Sequence, residues 1–303
     1  MKSRRQVIII LGAMPHEVVM PHEVQTSLKC LSAKSSALSI LPSSLVQKII
    51  LHPVADTRYD DFTLQIQYEI GTELGVATLL AKAILSKAIL GFSGEKLDFT
   101  TSVLKRFSSF DFGYISSESS LSEEELENIV QSCEEAPKYY IFLGNAFAYH
   151  KDKELIYEVL GLLSKVAGIP IITNNKALEN LGTKEDFTDL AFLDRLESSL
   201  EDLPESNGAF VYFTPLSLDS WNLDSEDCRG DYRIYATKQF LALAKSKNGD
   251  KITLKNQNMP YENISYEVVE VPYLRGVVGV AQSASQSASV DFYPFHTLQS
   301  VRI

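Results

Sequence analysis

Cysteine is scarce in this chain: Cys30, Cys133 and Cys228 are the only three, about a hundred positions apart. No two have the close spacing of a zinc or iron–sulfur site, and three thiols cannot all pair within one chain. A cysteine-held cluster is therefore excluded, and free thiols in a reducing cytoplasm are expected. Basic residues are also short, 28 Lys and Arg against 39 Asp and Glu, for a formal charge of −11. Nucleic acid and anionic membrane surfaces are bound through clustered Lys and Arg. The only such cluster is Lys2-Ser-Arg-Arg5, so neither partner is expected. Long apolar runs are missing as well. Val7-Ile-Ile-Ile-Leu11 stops at Gly12, too short for a secretory core, and no stretch approaches the 18 or so apolar residues of a membrane span. A soluble protein with a buried first strand is the expectation.

What remains is an ordinary globular composition, 45% hydrophobic and 22% charged over 303 residues, enough for two packed units. Val7–Gly12 is rich in β-branched residues, as in a parallel strand covered on both faces. Pro21–Leu31 predicts a helix with Pro21 in its first turn, and Ile49–Leu51 the next strand. A second short strand near Gln65 precedes a helix from Gly75 to about Leu90, with Val76, Leu79, Leu80, Ala83 and Ile84 on one face. Phe92–Ser117 has little periodicity and is expected to wrap the surface. Ser122-Glu-Glu-Glu125 reads as a capping box opening a helix to about Ala136. Lys138–Gly144 is a buried strand, Lys153–Ala167 an amphipathic helix with Gly168 as its C-terminal cap, and Ile169–Thr173 another strand. This alternation predicts an α/β fold, a doubly wound, mostly parallel sheet.

Beyond Leu200 the texture changes. Gly208–Phe213 reads as one more strand, and an acidic loop, Asp224–Asp227, follows. Gly249–Leu254 and Ser265–Val280 read as short strands between Gly turns. The expected division is an α/β domain over residues 1–215 and a small β-rich region over 216–303, with a Ser/Ala/Gln linker at 281–289.

Four places invite a chemical reading. Met14-Pro-His-Glu-Val-Val19 is repeated as Met20-Pro-His-Glu-Val-Gln25, so His16, Glu17, His22 and Glu23 offer a metal imidazole and carboxylate ligands. Pro21 divides the pairs and no His-Glu-x-x-His helix results, so a lengthened loop is the favoured reading. In Gly71-Thr72-Glu73, Thr72 reads as a helix cap and Glu73 as an acid on the positive helix end. Gly144-Asn-Ala-Phe147 follows a strand but lacks Gly-x-Gly-x-x-Gly, and Asn174-Asn175 reads as a polar turn. His150 and His296 stand alone and read as surface residues. No residue is assigned a catalytic, cofactor-binding or metal-ligating role.

The stretch from Lys48 to Ile89, with His52-Pro53-Val54 closing one strand, Tyr68-Glu-Ile70 leading into Gly71-Thr72-Glu73 and a Leu79-Leu-Ala-Lys82 helix, resembles the nucleotide-side half of the molybdopterin oxidoreductase fold. It looks most like the later, molybdopterin-enzyme-like part of the large iron–sulfur subunit of bacterial NADH-quinone oxidoreductase, respiratory complex I. Gly249–Leu254 and Pro272–Val280 resemble two strands of that superfamily's C-terminal barrel, here truncated. In molybdopterin enzymes the matching turn is usually Pro-Gly-Thr-Asp and its acid holds a guanine dinucleotide. Ile70 and Glu73 depart from that pattern, and Val54 stands where an Arg is common. The resemblance implies a non-catalytic scaffold without cofactor, packed among the other peripheral-arm subunits. It would be cytoplasmic, and peripheral to the inner membrane through the complex. Alternatives are a molybdopterin- or nucleotide-binding oxidoreductase fragment, and a metal-binding protein using the duplicated Pro-His-Glu-Val segment.

Overall fold

A run in which every side chain is apolar has no solvent face, so it must lie between two layers. In the computed structural model the run from Val7 to Leu11 is buried throughout as the central strand β1 (Gln6–Leu11). The structure describes residues 6–14, 18, 46–57, 63–91, 93–173, 191–204, 208–214, 232–253, 265–282 and 295–297. The expected helix at 21–31, the duplicated Pro-His-Glu-Val segment and Asn174-Asn175 lie outside them.

Five parallel strands form the first sheet in the order β4 (Thr63–Ile66), β2 (Val46–Leu51), β1, β5 (Tyr139–Leu143), β6 (Ile171–Thr173). Register is in phase, Leu11 opposite both Leu51 and Leu143, so the C-terminal strand ends share one edge. Chain order runs outward from β1 on one side, then returns to the other side with β5. That reversal between β1 and β5 is a topological switch point. The crossover from β2 to β4 holds a two-residue strand, β3 (Ala55–Asp56), in place of a helix.

Helix α1 (Glu73–Ala88) is buried all round in its first two turns, from Glu73 to Leu80. Added to the short turn that follows it, Glu73–Gly91 reaches the length and apolarity of a membrane span, 19 residues at mean hydropathy 1.6, with 56% of the window buried in the protein. This corrects the expectation that no stretch comes near a span. The composition reflects a helix enclosed by other helices. The stretch expected to wrap the surface is instead two helices, α2 (Gly94–Phe107) and α3 (Phe112–Ser119). Their signal is faint in sequence because α2 buries only Thr100, Val103 and Phe107. α3 starts where the Asp111 carboxylate accepts from the Tyr114 N–H at 2.9 Å. Gly75 lets α1 and α3 touch: a Cβ there would lie 2.7 Å from Ser119 Oγ.

The capping box is present. Ser122 Oγ accepts from the Glu125 N–H at 3.2 Å, and Glu125 accepts from the Ser122 N–H at 2.8 Å, opening α4 (Glu123–Glu135). The four-residue α5 (Asn145–Ala148) follows β5, then α6 (Lys153–Ala167), which ends on Gly168 at φ 71° as expected. α7 (Phe192–Leu200) completes this unit, which comprises Met1–His52 and Asp60–Glu205.

The second unit is Pro53–Tyr59 with Ser206–Ile303. Its sheet is mixed and six-stranded, in the order β13 (Phe295–Thr297), β7 (Phe210–Thr214), β12 (Val278–Gln282), β8 (Arg233–Ala236), β10 (Ser265–Glu270), β9 (Lys251–Thr253). Two differences from the expected division follow. That division puts β7 in the first domain, but the strand pairs with β12 and β13, so the boundary falls ahead of it at Ser206. Residues 53–59 belong here too, because β3 pairs with β11 (Leu274–Arg275) and the Thr57 N–H donates to Tyr273 O at 2.8 Å. Helix α8 (Lys238–Leu243) is capped by Thr237, whose Oγ1 accepts from the Phe240 N–H at 3.1 Å and donates to Gly276 O at 2.6 Å. Phe240 then covers Gly279, where a Cβ would come within 3.0 Å of its ring. This unit carries its own core, including Val211, Phe213, Ile234, Tyr266 and Val268.

Candidate functional site

Open α/β sheets bind ligands beyond the carboxyl ends of their strands, at the switch point. In this chain that place lies between Leu11 and Leu143, and the main chains meet there directly. The Gly144 N–H donates to Leu11 O at 2.8 Å, and the Gly12 N–H to Leu51 O at 2.9 Å. A Cβ on Gly144 would lie 2.5 Å from both Gly12 O and Ala13 Cβ. One on Gly12, at φ 64°, would lie 2.6 Å from Ala146 Cβ and 2.7 Å from the Phe147 ring. Both glycines thus serve close approach of protein to protein. Phe147 is fully buried and packs edge-on to Tyr68, centroids 5.8 Å apart. The Gly144-Asn-Ala-Phe147 sequence is a joint between two strand ends.

Beside this joint lies a buried polar cluster built on the turn into α1. Gly71 takes φ 87° with its missing Cβ 2.8 Å from Pro204, a backbone state that excludes most side chains. Thr72 occupies the N-cap position, but its hydroxyl does not cap the helix; Oγ1 donates back to Glu69 O at 2.6 Å. The expected cap is corrected: Thr72 fastens the turn. Glu73 is in the first helical turn as expected, and its side chain is wholly buried. Tyr68 OH donates to Glu73 Oε1 at 3.4 Å. His150 Nε2 stands 3.4 Å from Glu73 Oε2 and 3.1 Å from Gly71 O.

His150 corrects a second expectation. It is 4% exposed, not a surface residue, because the turn after α5 carries it into the Gly71–Glu73 corner. Its Nδ1 accepts from the Asp152 N–H at 3.0 Å, so the neutral ring carries its proton on Nε2 and donates it toward Gly71 O. Burial pushes the His150 pKa down from its ordinary 6.5, against the raising effects of the Gly71 carbonyl and Asp152; Lys151 lowers it further. His52, at the end of β2, is buried as well, its N–H donating to Ile66 O at 3.1 Å. The arrangement can hold a neutral imidazole against a carboxyl group and lock the turn. Glu73 is 0% and His150 4% exposed.

The remaining candidates separate. His16, Glu17, His22 and Glu23 lie outside the described residues, and among those described no three His, Cys, Asp or Glu side chains gather as metal ligands. Cys133 is buried, with its thiol pushed up to about 12 by desolvation. Strand β13 contains His296. Sequence reasoning missed the pairing of His150 with the Gly71–Glu73 turn, 79 positions away. No periodicity or spacing signals such a contact. Neither the protein-family models nor the curated proteins compared with this chain include a match to it.

Proposed function

We propose that this chain is a non-catalytic structural part of an NADH-quinone oxidoreductase, corresponding to the molybdopterin-enzyme-like portion of the large iron–sulfur subunit of complex I, without clusters or cofactor of its own. The family element rests on the sequence resemblance around Tyr68–Lys82. The parallel five-stranded sheet is compatible with it. The non-catalytic element is supported by one observation: among the described residues the strand ends at the switch point pack directly on one another, Gly12 and Ala13 against Gly144, Ala146 and Phe147.

A guanine dinucleotide does not fit the residues present. The acid that would take the base in molybdopterin enzymes is here Glu73, turned inward onto Tyr68 and His150, and the strand ends that would flank a phosphate touch.

Thermal unfolding with and without guanine dinucleotide, NADH or zinc tests this, since a ligand bound to the native state raises the melting temperature. No shift with any of them is expected, together with co-purification with the NADH-binding and quinone-side subunits. A rise of several degrees with dinucleotide would overturn the scaffold reading. A zinc shift lost on replacing His16 and His22 would move the function to the duplicated segment. Migration alone at every salt concentration would refute the complex.

A further inference from the structure

Helices α1, α3 and α4 leave a trough of about 920 Å³ between them. Its floor is apolar, from Leu79 and Ala83 on α1 and Leu126 and Val130 on α4. Within each pair the spacing is i, i+4, so the two residues share one face of their helix; Leu79, Leu126 and Val130 are 3%, 8% and 5% exposed. The outer wall is the next row of α4: Glu123, Glu127, Gln131 and Glu135, again every fourth residue and all exposed, with Glu134 beside them. The opposite wall offers two cations, Lys82 and Lys87. Lys82 is already engaged, its ammonium 3.6 Å from the centre of the Phe112 ring.

Elsewhere on the same unit some charges are paired, while others among the described residues, such as Glu95 and Asp98, are in no ion pair. Arg106 pairs with Asp194 and Glu197, and Arg195 with Glu158 at 2.9 Å. Among the described residues none of Glu123, Glu127, Glu134 and Glu135 is in an ion pair. Glu123 and Glu127 are like charges at i, i+4, a repulsion that a cation beside Glu127 would relieve; Glu123 already raises the Lys82 pKa, against the larger lowering by burial. An apolar floor flanked by an acidic ridge is the complement of an amphipathic helix with Lys or Arg along one border.

We propose that this trough is a docking site for an amphipathic helix of a partner protein, its apolar stripe on Leu79, Ala83, Leu126 and Val130 and its basic border against Glu123, Glu127 and Glu135. At 1.5 Å per residue α4 is about 20 Å long, so the matching segment is about 14 residues, four turns. None of the residues lining the trough belongs to the Gly12–Gly144 joint, and the inference holds whether or not the scaffold belongs to a respiratory complex.

The test uses the full chain and a fluorescent helical peptide of about 14 residues, with Leu on one stripe and Arg along one border. Controls are a peptide of the same composition with the stripe scrambled, and one with Glu on the border. The striped basic peptide is expected to bind at least about tenfold tighter than either control, and to weaken as NaCl rises from about 50 to about 300 mM. Glu123→Lys with Glu127→Lys should lower its affinity about tenfold or more. So should Ser86→Trp, which adds bulk at the trough without changing charge. Glu95→Lys with Asp98→Lys, exposed and off the trough, makes the same change of net charge and should leave binding within about twofold. Equal binding of the scrambled peptide, or equal loss in the two charge-reversed pairs, would reduce the effect to bulk electrostatics and overturn the proposal. Self-association of the free chain, abolished by Glu127→Lys, would give the trough to a second copy instead.

Discussion

Both ends of helix α1 carry charged side chains near an apolar surface, and they treat them in opposite ways. At its first residue, Glu73 is fully enclosed, with Tyr68 OH and His150 Nε2 each 3.4 Å from its carboxylate oxygens. Further along, Lys82 and Lys87 look across a trough at a row of exposed glutamates that make no ion pair. The first arrangement is enclosed, its contacts made by Tyr68 at Oε1 and His150 beside Oε2, because a buried ionisable group is costly to keep without neighbours. The second can stay incomplete because water solvates exposed carboxylates at small cost. The turn into α1 is thus enclosed, and the side with exposed carboxylates outside any ion pair and an apolar floor is where binding energy remains to be gained.

The largest effect is expected at the joint between β1 and β5. Gly144→Ala places a methyl group 2.5 Å from Gly12 O, a backbone atom that cannot swing aside. The variant should lose about 3 kcal/mol or more of stability, read as a fall in the urea midpoint. A variant of wild-type stability would mean that the two strand ends part easily. The contrast between closed and open regions would then collapse, and a nucleotide at the switch point would again be possible.

The buried cluster comes next. Glu73→Ala should cost about 2–4 kcal/mol through lost packing and orphaned partners, whereas Glu73→Gln, which keeps the shape and an acceptor for Tyr68 OH, should cost less than half as much. His150 adds a pH dependence of known sign. A base whose pKa is lower folded than unfolded binds fewer protons in the native state. Its contribution is therefore complete above the ordinary 6.5 and is lost as pH falls through 6.5 toward the folded value. Glu73, the Gly71 carbonyl, Asp152 and Lys151 face the ring, and all remain in place in His150→Gln. The urea midpoint of the parent chain should therefore fall more steeply between about pH 7.5 and 5.5 than that of His150→Gln. Parallel curves would show that His150 charges as easily as a surface histidine.

The sequence makes the frame of these regions readable but not their contents. Val7–Leu11, Ser122–Glu125 and Lys153–Gly168 announce a covered strand, a capped start and a glycine stop through local chemistry alone, and each stands where that chemistry puts it. Gly94–Ser119 hides two helices because the cluster of Phe107, Phe110 and Phe112, with ring centroids 5.4 to 6.2 Å apart, is assembled by tertiary packing. β7 alternates like any strand, and nothing local says which of two sheets it joins. The Gly71-Thr72-Glu73 turn is visible as a turn, but the direction of Glu73 is not. That depends on His150, brought in from 79 positions away. The trough likewise needs two helices side by side, and only its acidic row can be seen in α4 alone.

The smallest effect belongs to that row. Glu127 is exposed, and lies at i+4 from Glu123 and four residues before Gln131, which donates to Glu135 Oε1 at 3.0 Å. Glu127→Lys removes one like-charge neighbour and gives Glu123 a cationic partner in the favourable order, with the acid nearer the helix N-terminus. The gain for the isolated chain should be about 0.3 kcal/mol, and the change should in any case stay within about 0.5 kcal/mol. Chemical denaturation at low salt, repeated at high salt to screen the pair, measures it. A substitution that leaves the fold unchanged or slightly firmer, yet removes binding of a basic helix, would separate a surface kept for association from one kept for stability. If Glu127→Lys instead destabilises the chain by more than about 1 kcal/mol, the acidic row belongs to the fold, and the two regions differ only in how deeply their charges are set.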